Sequence, residues 1–390
     1  GRTSHTAILA AQMGIPAAVQ VHGATDIAPG TTVAVDGDSG EVTVDPDMAL
    51  IEAQREHRER RAAALARVSG PGRTADGHAV ALLANIGGVD DAVAAGAQDL
   101  EGVGLFRTEF LYLSAQALPS LDEQAEVYRQ VLAPFPGRRV VVRTLDAGAD
   151  KPLAFANLGE EENPALGRRG LRLCQAKPEL IDSQLEALAI AARDTGADVR
   201  VMAPMVATAE EAEWFAARVR AAGLPKSGVM IEVPAAALRS RHVLAEVDFG
   251  SLGTNDLAQY TMAADRMEGE LSDLLDPWQP GVLDVVAAAC AGGEATGKPV
   301  GVCGESAGDP LLALAHGARC VEPVHGPEEG AGRALRAVAA HARGVPRPGD
   351  AGPGRAHGGR RARGGPRGRA RGAHLGHLMS PVPRGAGPSS

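Results

Sequence analysis

The feature that most constrains this chain is a recurring unit: a short apolar run that ends in polar residues, followed by about a helix's length of alanine-rich sequence. The clearest pair lies within residues 228–266. GVMIEV at 228–233 closes around Glu232, and FGSLGT at 249–254 runs into Asn255 and Asp256, with Arg266 ten residues further on. Apolar runs of four to eight residues separated by helical stretches read as parallel strands joined by crossover helices. Comparable runs stand at 79–86, 102–107, 140–146, 199–205 and 299–304. A poorer eighth is expected near 318–324, where Arg319, Glu322 and Pro323 interrupt the pattern. Helices are expected between them, for example at 122–133, 179–194 and 208–222.

Seven or eight such units over about 250 residues predict an α/β fold, a (β/α)₈ TIM-type barrel. An open doubly wound sheet also fits the pattern. Polar residues at the carboxyl ends of most strands (Arg107, Arg143, Glu232, Asn255 and Cys303) favour a closed ring around one mouth. On that face Glu232 and Asp256, from adjacent strand ends and with an arginine nearby, make a place for a divalent cation and a phosphorylated anion. The structural alternatives are a helix cap for either carboxylate and plain ion pairing for the arginines.

Ahead of the barrel, 30–45 reads as a valine hairpin around D-G-D-S-G, and 46–68 as a charged, solvated connector helix. The glycine-rich stretch 69–77 marks a boundary. The first residues, GRTSHTAILAAQMGIPAAV, look like a loop entering a helix capped by Thr3 or Ser4, which places His5 near a helix N-terminus. The expected division is 1–45, a partial N-terminal domain; 46–77, a linker; 78–325, the barrel; and 326–390, a low-complexity tail.

The net charge of −9 hides an asymmetry. Residues 341–390 hold ten arginines and one acid, so the preceding 340 residues carry −18. The glycine, proline and arginine mixture at the end cannot bury a core and is expected to be disordered. Its composition suggests a reading-frame shift near Leu314. No apolar run approaches the length needed to cross a bilayer, so no membrane association is expected. The four cysteines (Cys174, Cys290, Cys303 and Cys320) lack metal or disulfide spacing, which suits a reducing cytoplasm; all but Cys303 read as inert.

Seven ordered motifs, GRTSHTAI, GLFRTEFLYL, RTLDAGADKPL, ENPALGRRGLR, GVMIEVPAAA, GTNDLAQYTMAADR and GVCGESAGDP, together resemble enzyme I of the bacterial phosphoenolpyruvate:sugar phosphotransferase system over roughly residues 1–314. The resemblance implies phosphoryl transfer from phosphoenolpyruvate to a histidine and on to the carrier protein HPr, leaving pyruvate. It implies His5 as phosphoryl acceptor and Cys303 as the acid that protonates the enolate. Glu232 and Asp256 would hold Mg²⁺, while Arg107, Arg143, Arg169, Asn255 and Arg266 would hold the substrate. It further implies a homodimer formed through the barrel. Enzyme I normally has well over a hundred residues ahead of the position of His5, so the resemblance implies that 1–45 is a partial phosphohistidine domain and that the truncated chain retains only the binding half. Arg168 departs from the family, which commonly has an apolar or aromatic residue there.

Two alternatives remain at this point. One is a fragment of a pyruvate phosphate dikinase or phosphoenolpyruvate synthase, which share the swivelling domain and barrel. The other is an inactive remnant with a basic tail. That tail has charge for phosphate contacts but no aromatic residues for stacking, so nucleic-acid binding is not expected.

Overall fold

The computed structural model describes residues 15–18, 21, 23–37, 40–66, 70, 72, 81–112, 115–147, 153, 155, 156, 159, 161–308, 312, 322 and 323. His5 and its expected helix, most of the 69–77 boundary and nearly all of the arginine-rich end lie outside them.

The valine hairpin forms as its alternation predicts. β1 (Val33–Val35) pairs antiparallel with β2 (Val42–Val44), Val33 opposite Val44 and Val35 opposite Val42. The connector is a single helix, Met48–Ala66, whose described side chains are mostly exposed. It has no apolar face to bury, which fits its run of arginines and glutamates.

The remaining strands form one parallel sheet: β3 (Leu83–Ile86), β4 (Gly102–Arg107), β5 (Arg139–Arg143), β6 (Asp198–Ala203), β7 (Ser227–Ile231), β8 (Phe249–Gly253), β9 (Val300–Cys303) and β10 (Glu322–Pro323). Each pairs with its neighbour in sequence, so the spatial order runs from β3 to β10 without reversal. A doubly wound sheet reverses its strand order at a switch point; this one does not. The barrel expectation holds and the open alternative falls. Among the described residues β10 pairs with Gly301 and Val302. Glu322 and Pro323, expected to interrupt the pattern, are themselves the paired residues.

The curl of the sheet follows from its two faces. Leu83, Leu105, Val141, Met202, Met230, Phe249 and Cys303, one from each of β3 to β9, pack into a single interior cluster. Such a layer fills the inside of a barrel. The other face carries the larger aliphatic core shared with the helices, including Val103, Val140, Val201, Val229 and Leu252. Gly228 makes room for this arrangement, because a Cβ there would sit 2.3 Å from the Phe249 ring.

The crossover helices begin and end where the local chemistry directs. Leu121–Leu132 and Ala209–Ala221 each start with a capping box, Ser120 with Glu123 and Thr208 with Glu211. Pro178–Thr195 has its proline in the first turn and ends on Gly196 in the left-handed region, as Pro280–Thr296 ends on Gly297. Among the described residues no helix is long and apolar enough to cross a membrane. One cysteine expectation is corrected: Cys290 is disulfide-bonded, whereas Cys174 and Cys303 are free.

Candidate functional site at the strand ends

Strand register delivers the polar residues to one rim. Arg107 and Arg143 are the last residues of β4 and β5 and stand opposite each other. Ile231 pairs with Leu252 and Gly253 with Cys303, so Glu232, the Thr254–Asn255–Asp256 turn and Cys303 arrive side by side. Asp256 lies in the first turn of helix Thr254–Met262. It therefore does occupy a helix N-terminus, but its bonds go elsewhere.

Asp256 is held by two arginines, Arg169 Nη1 donating at 3.1 Å and Arg266 Nη1 at 3.4 Å. Arg169 also forks onto Asp146, with Nη2 to Oδ2 at 2.9 Å and Nε to Oδ1 at 3.3 Å, and Nη1 reaches the Tyr260 hydroxyl at 3.4 Å. Arg143 joins the same lattice through Asp146, 3.4 Å from its Nη1, and through Glu109 at Nη2. Burial opposes the charge of Arg143 and Arg169, but Glu109 and Asp146 beside the former, and Asp146 and Asp256 beside the latter, raise both pKa values above the ordinary arginine range. Arg107 behaves differently: burial, then the neighbouring Arg143, lowers its pKa against the pull of Glu109. A half-buried arginine set against a second, acid-paired one is suited to an anion.

Glu232, unlike Glu109, Asp146 and Asp256, makes no ion pair with an arginine among the described residues. It is fully buried, and its Oε1 accepts from the Met205 backbone N–H at 2.7 Å, yet its Oε2 is buried with no partner. Burial, together with Asp256 and Asp146, pushes its pKa up to about 8. Met205 adopts a positive φ of 58° to aim that N–H, an uncommon conformation for a residue with a Cβ. Gly253 keeps the orphaned oxygen uncovered, because a Cβ there would lie 2.6 Å from it. A buried carboxylate oxygen without a donor costs free energy unless a cation or proton meets it. Among the described residues no three His, Cys, Asp or Glu side chains converge as a metal cage. A pair of carboxylates that leaves the remaining positions to water and phosphate oxygens suits Mg²⁺, which keeps much of its hydration shell.

Cys303 is buried, and its Sγ donates to the Leu252 carbonyl at 3.2 Å. Burial pushes the thiol up to about 11, so it keeps its proton at neutral pH. Thr254 Oγ1 bonds the Cys303 carbonyl at 2.9 Å and accepts from Ser306 at 2.7 Å, tying this strand end to the Asn255–Asp256 turn.

The sequence-predicted Arg143, Arg169, Asp256 and Arg266 are thus joined by direct contacts or shared acids, and Glu232 feels the charges of Asp256, Arg143 and Arg169, with Arg107, Asn255 and Cys303 on the same rim. His5 lies outside the described residues. Glu109 and Asp146 were not assigned from sequence, although both fall inside the motifs GLFRTEFLYL and RTLDAGADKPL. An acid two or three residues after a strand-end arginine was the available signal. Arg168 turns outward and pairs with the Glu161 carboxylate at 3.0 Å, in contrast to Arg169 beside it. Its departure from the expected pattern is a surface matter.

Comparisons with known proteins identify the family. Residues 61–318 match the family model described as the PEP-binding domain of PEP-utilising enzymes, and residues 1–40 match that family's mobile domain. A phosphoenolpyruvate-protein phosphotransferase of Streptomyces coelicolor is 56% identical over 315 residues, covering 80% of this chain and 57% of that protein. One from Bacillus subtilis is 42% identical over 331 residues, with the same coverage. A multiphosphoryl transfer protein of Xanthomonas campestris is 42% identical over 326 residues, 80% of this chain and 38% of that protein. The chain therefore spans 57% of the length of the first of these relatives.

Proposed function

Because this chain belongs to the phosphoenolpyruvate-utilising enzymes, we propose that its barrel mouth binds phosphoenolpyruvate with Mg²⁺ and that His5 receives the phosphoryl group for onward transfer to HPr. The observation that carries the proposal is the orphaned, buried Oε2 of Glu232 beside Asp256 on a rim crowded with arginines. Residues 1–45 would contribute to the mobile phosphohistidine unit, 46–77 the linker and 78–325 the barrel. The names of the relatives favour this reading over a dikinase or synthase fragment.

Glu232 and Asp256 would hold the metal ion, which when bound neutralises phosphate charge and polarises the P–O bond. Arg107, Arg143 and Arg266 would fork onto the substrate's phosphate and carboxylate, whose planar oxygen pairs match guanidinium geometry. Arg169 would orient Asp256, and Asn255 would hydrogen-bond the substrate. The imidazole of His5 attacks phosphorus, an N–P bond forms, and the bond to the enol oxygen breaks. The resulting enolate takes a proton at its methylene carbon from the Cys303 thiol, giving pyruvate. Most of the work is positioning and charge neutralisation, as phosphoryl transfer requires.

The test is incubation of the chain with labelled phosphoenolpyruvate and Mg²⁺. Acid-labile, base-stable label on the protein, lost in His5→Ala, is the expected result. Label that survives His5→Ala would refute His5 as the acceptor.

A further inference from the structure

Glu109 lies in the short 3₁₀ turn Thr108–Leu111 directly after β4, with its side chain 3% exposed. Its Oε1 accepts from Nη2 of Arg143, 34 positions away. The main chain makes a second tie between the same two segments, because Thr108 Oγ1 donates to the Arg143 carbonyl at 2.9 Å. Gln184 Nε2 in turn donates to that hydroxyl at 3.1 Å. The turn and the strand end are therefore locked to each other through both side chain and backbone.

The guanidinium of Arg143 is divided by these contacts. Glu109 takes Nη2, while Asp146 and the Met230 sulfur take Nη1. Nε is buried and has no partner. Glu109 Oε2 is likewise buried without a partner. An arginine has five donors in a rigid plane, so fixing its two terminal nitrogens fixes the direction of the remaining one. We propose that Glu109 is a positioning residue that sets the plane of Arg143, so that its unmet N–H is presented to the substrate anion. The proposal rests on the phosphoenolpyruvate reading above and adds to it a residue that does not itself touch substrate. A competing logic predicts the opposite sign: a carboxylate that merely competes with the substrate for Arg143 would weaken binding, and its removal would tighten it.

The experiment is calorimetric titration of phosphoenolpyruvate into the full chain in saturating Mg²⁺, for the unsubstituted protein, Glu109→Gln, Arg143→Lys and the double variant. Losing a charge-assisted orienting bond is expected to raise the Kd of Glu109→Gln roughly tenfold. Mg²⁺ affinity, titrated without phosphoenolpyruvate, should stay within about twofold, because Glu109 acts on the arginine. In the Arg143→Lys background the same substitution should cost less than about twofold, since the planar fork it orients is gone. Unchanged or tighter binding in Glu109→Gln, or an equal loss in the Arg143→Lys background, overturns the proposal. Should Glu109→Gln not fold, Glu109→Asp, which withdraws the carboxylate from Nη2, is judged by the same criteria. Absence of binding by the unsubstituted chain would instead refute the site reading, and the role of Glu109 with it.

Discussion

Two buried polar clusters share this barrel, and they differ in whether their hydrogen-bonding capacity is met. One links the helices behind β4 and β5. Tyr112 donates to Gln124 at 2.9 Å and lies 2.7 Å from the Tyr128 hydroxyl. Gln184 donates to Tyr128 at 2.9 Å and to Thr108 at 3.1 Å, and accepts from the Leu145 N–H at 3.0 Å. Gln124 Nε2 is spent on the Pro119 carbonyl and Ser183 Oγ, each at 2.9 Å. Nothing in that network is left over. In the strand-end cluster Glu232, Glu109 and Arg143 are as buried, yet Glu232 Oε2, Glu109 Oε2 and Arg143 Nε have no partner among the described residues. Folding alone explains the first cluster, because satisfied buried networks fix a unique arrangement. The second leaves open the positions that the proposed cation and anion would fill.

The contrast can be broken by stability measurements. Tyr128→Phe removes a hydroxyl that Gln184 and Tyr112 both rely on, and should cost about 1–3 kcal/mol of unfolding free energy while leaving phosphoenolpyruvate affinity within about twofold. Denaturant titration beside a binding isotherm checks both halves; a stable variant with impaired binding would mean that the network belongs to the site.

The strand-end cluster should respond to pH in a way that the tyrosine network does not. Burial, Asp256 and Asp146 raise Glu232 from 4.5 to about 8. Between those values the folded, metal-free chain binds more protons than the unfolded chain, so this group's contribution to stability is full below pH 4.5 and is lost as pH rises through 8. Metal binding must displace that proton. Mg²⁺ affinity is therefore expected to rise by up to about tenfold per pH unit from 6 towards 8 and then level off. A pH-independent Mg²⁺ affinity across that window would contradict the assignment of Glu232. The Tyr128 hydroxyl, which burial pushes up to about 12, stays neutral throughout.

The smallest effect is the most discriminating in sign. Glu232→Gln keeps an acceptor for the Met205 N–H and removes a carboxyl that must take up a proton on folding at neutral pH, so metal-free stability at pH 7 should rise by about 1 kcal/mol. Thermal unfolding without divalent ions reads this directly. A substantial loss of stability would place Glu232 with the structural cluster.

Much of this architecture was legible in the sequence. The run at 102–107 coincides with β4, and the runs ending near Arg143, Glu232, Asp256 and Cys303 place those residues on one rim. That worked because strand periodicity and the parallel β/α alternation are local signals. What remained hidden depends on pairs far apart in the chain: Glu109 on Arg143, Asp146 on Arg169, Arg169 on Asp256 across 87 positions. Sequence could mark these residues as polar near strand ends, but not which carboxylate would be paired and which left open. The tyrosine and glutamine network was missed for a related reason. Tyr128 and Gln184 sit within helical stretches, and Tyr112 follows the turn Thr108–Leu111, where each looks like an ordinary core or surface position.

The most direct test is titration of phosphoenolpyruvate into the chain with and without Mg²⁺, in parallel with Glu232→Gln. The account predicts saturable binding that requires Mg²⁺ and falls by more than about a hundredfold in the variant. Binding that ignores Mg²⁺, or that Glu232→Gln retains, would contradict the claim that the open valence at the strand ends is the functional site.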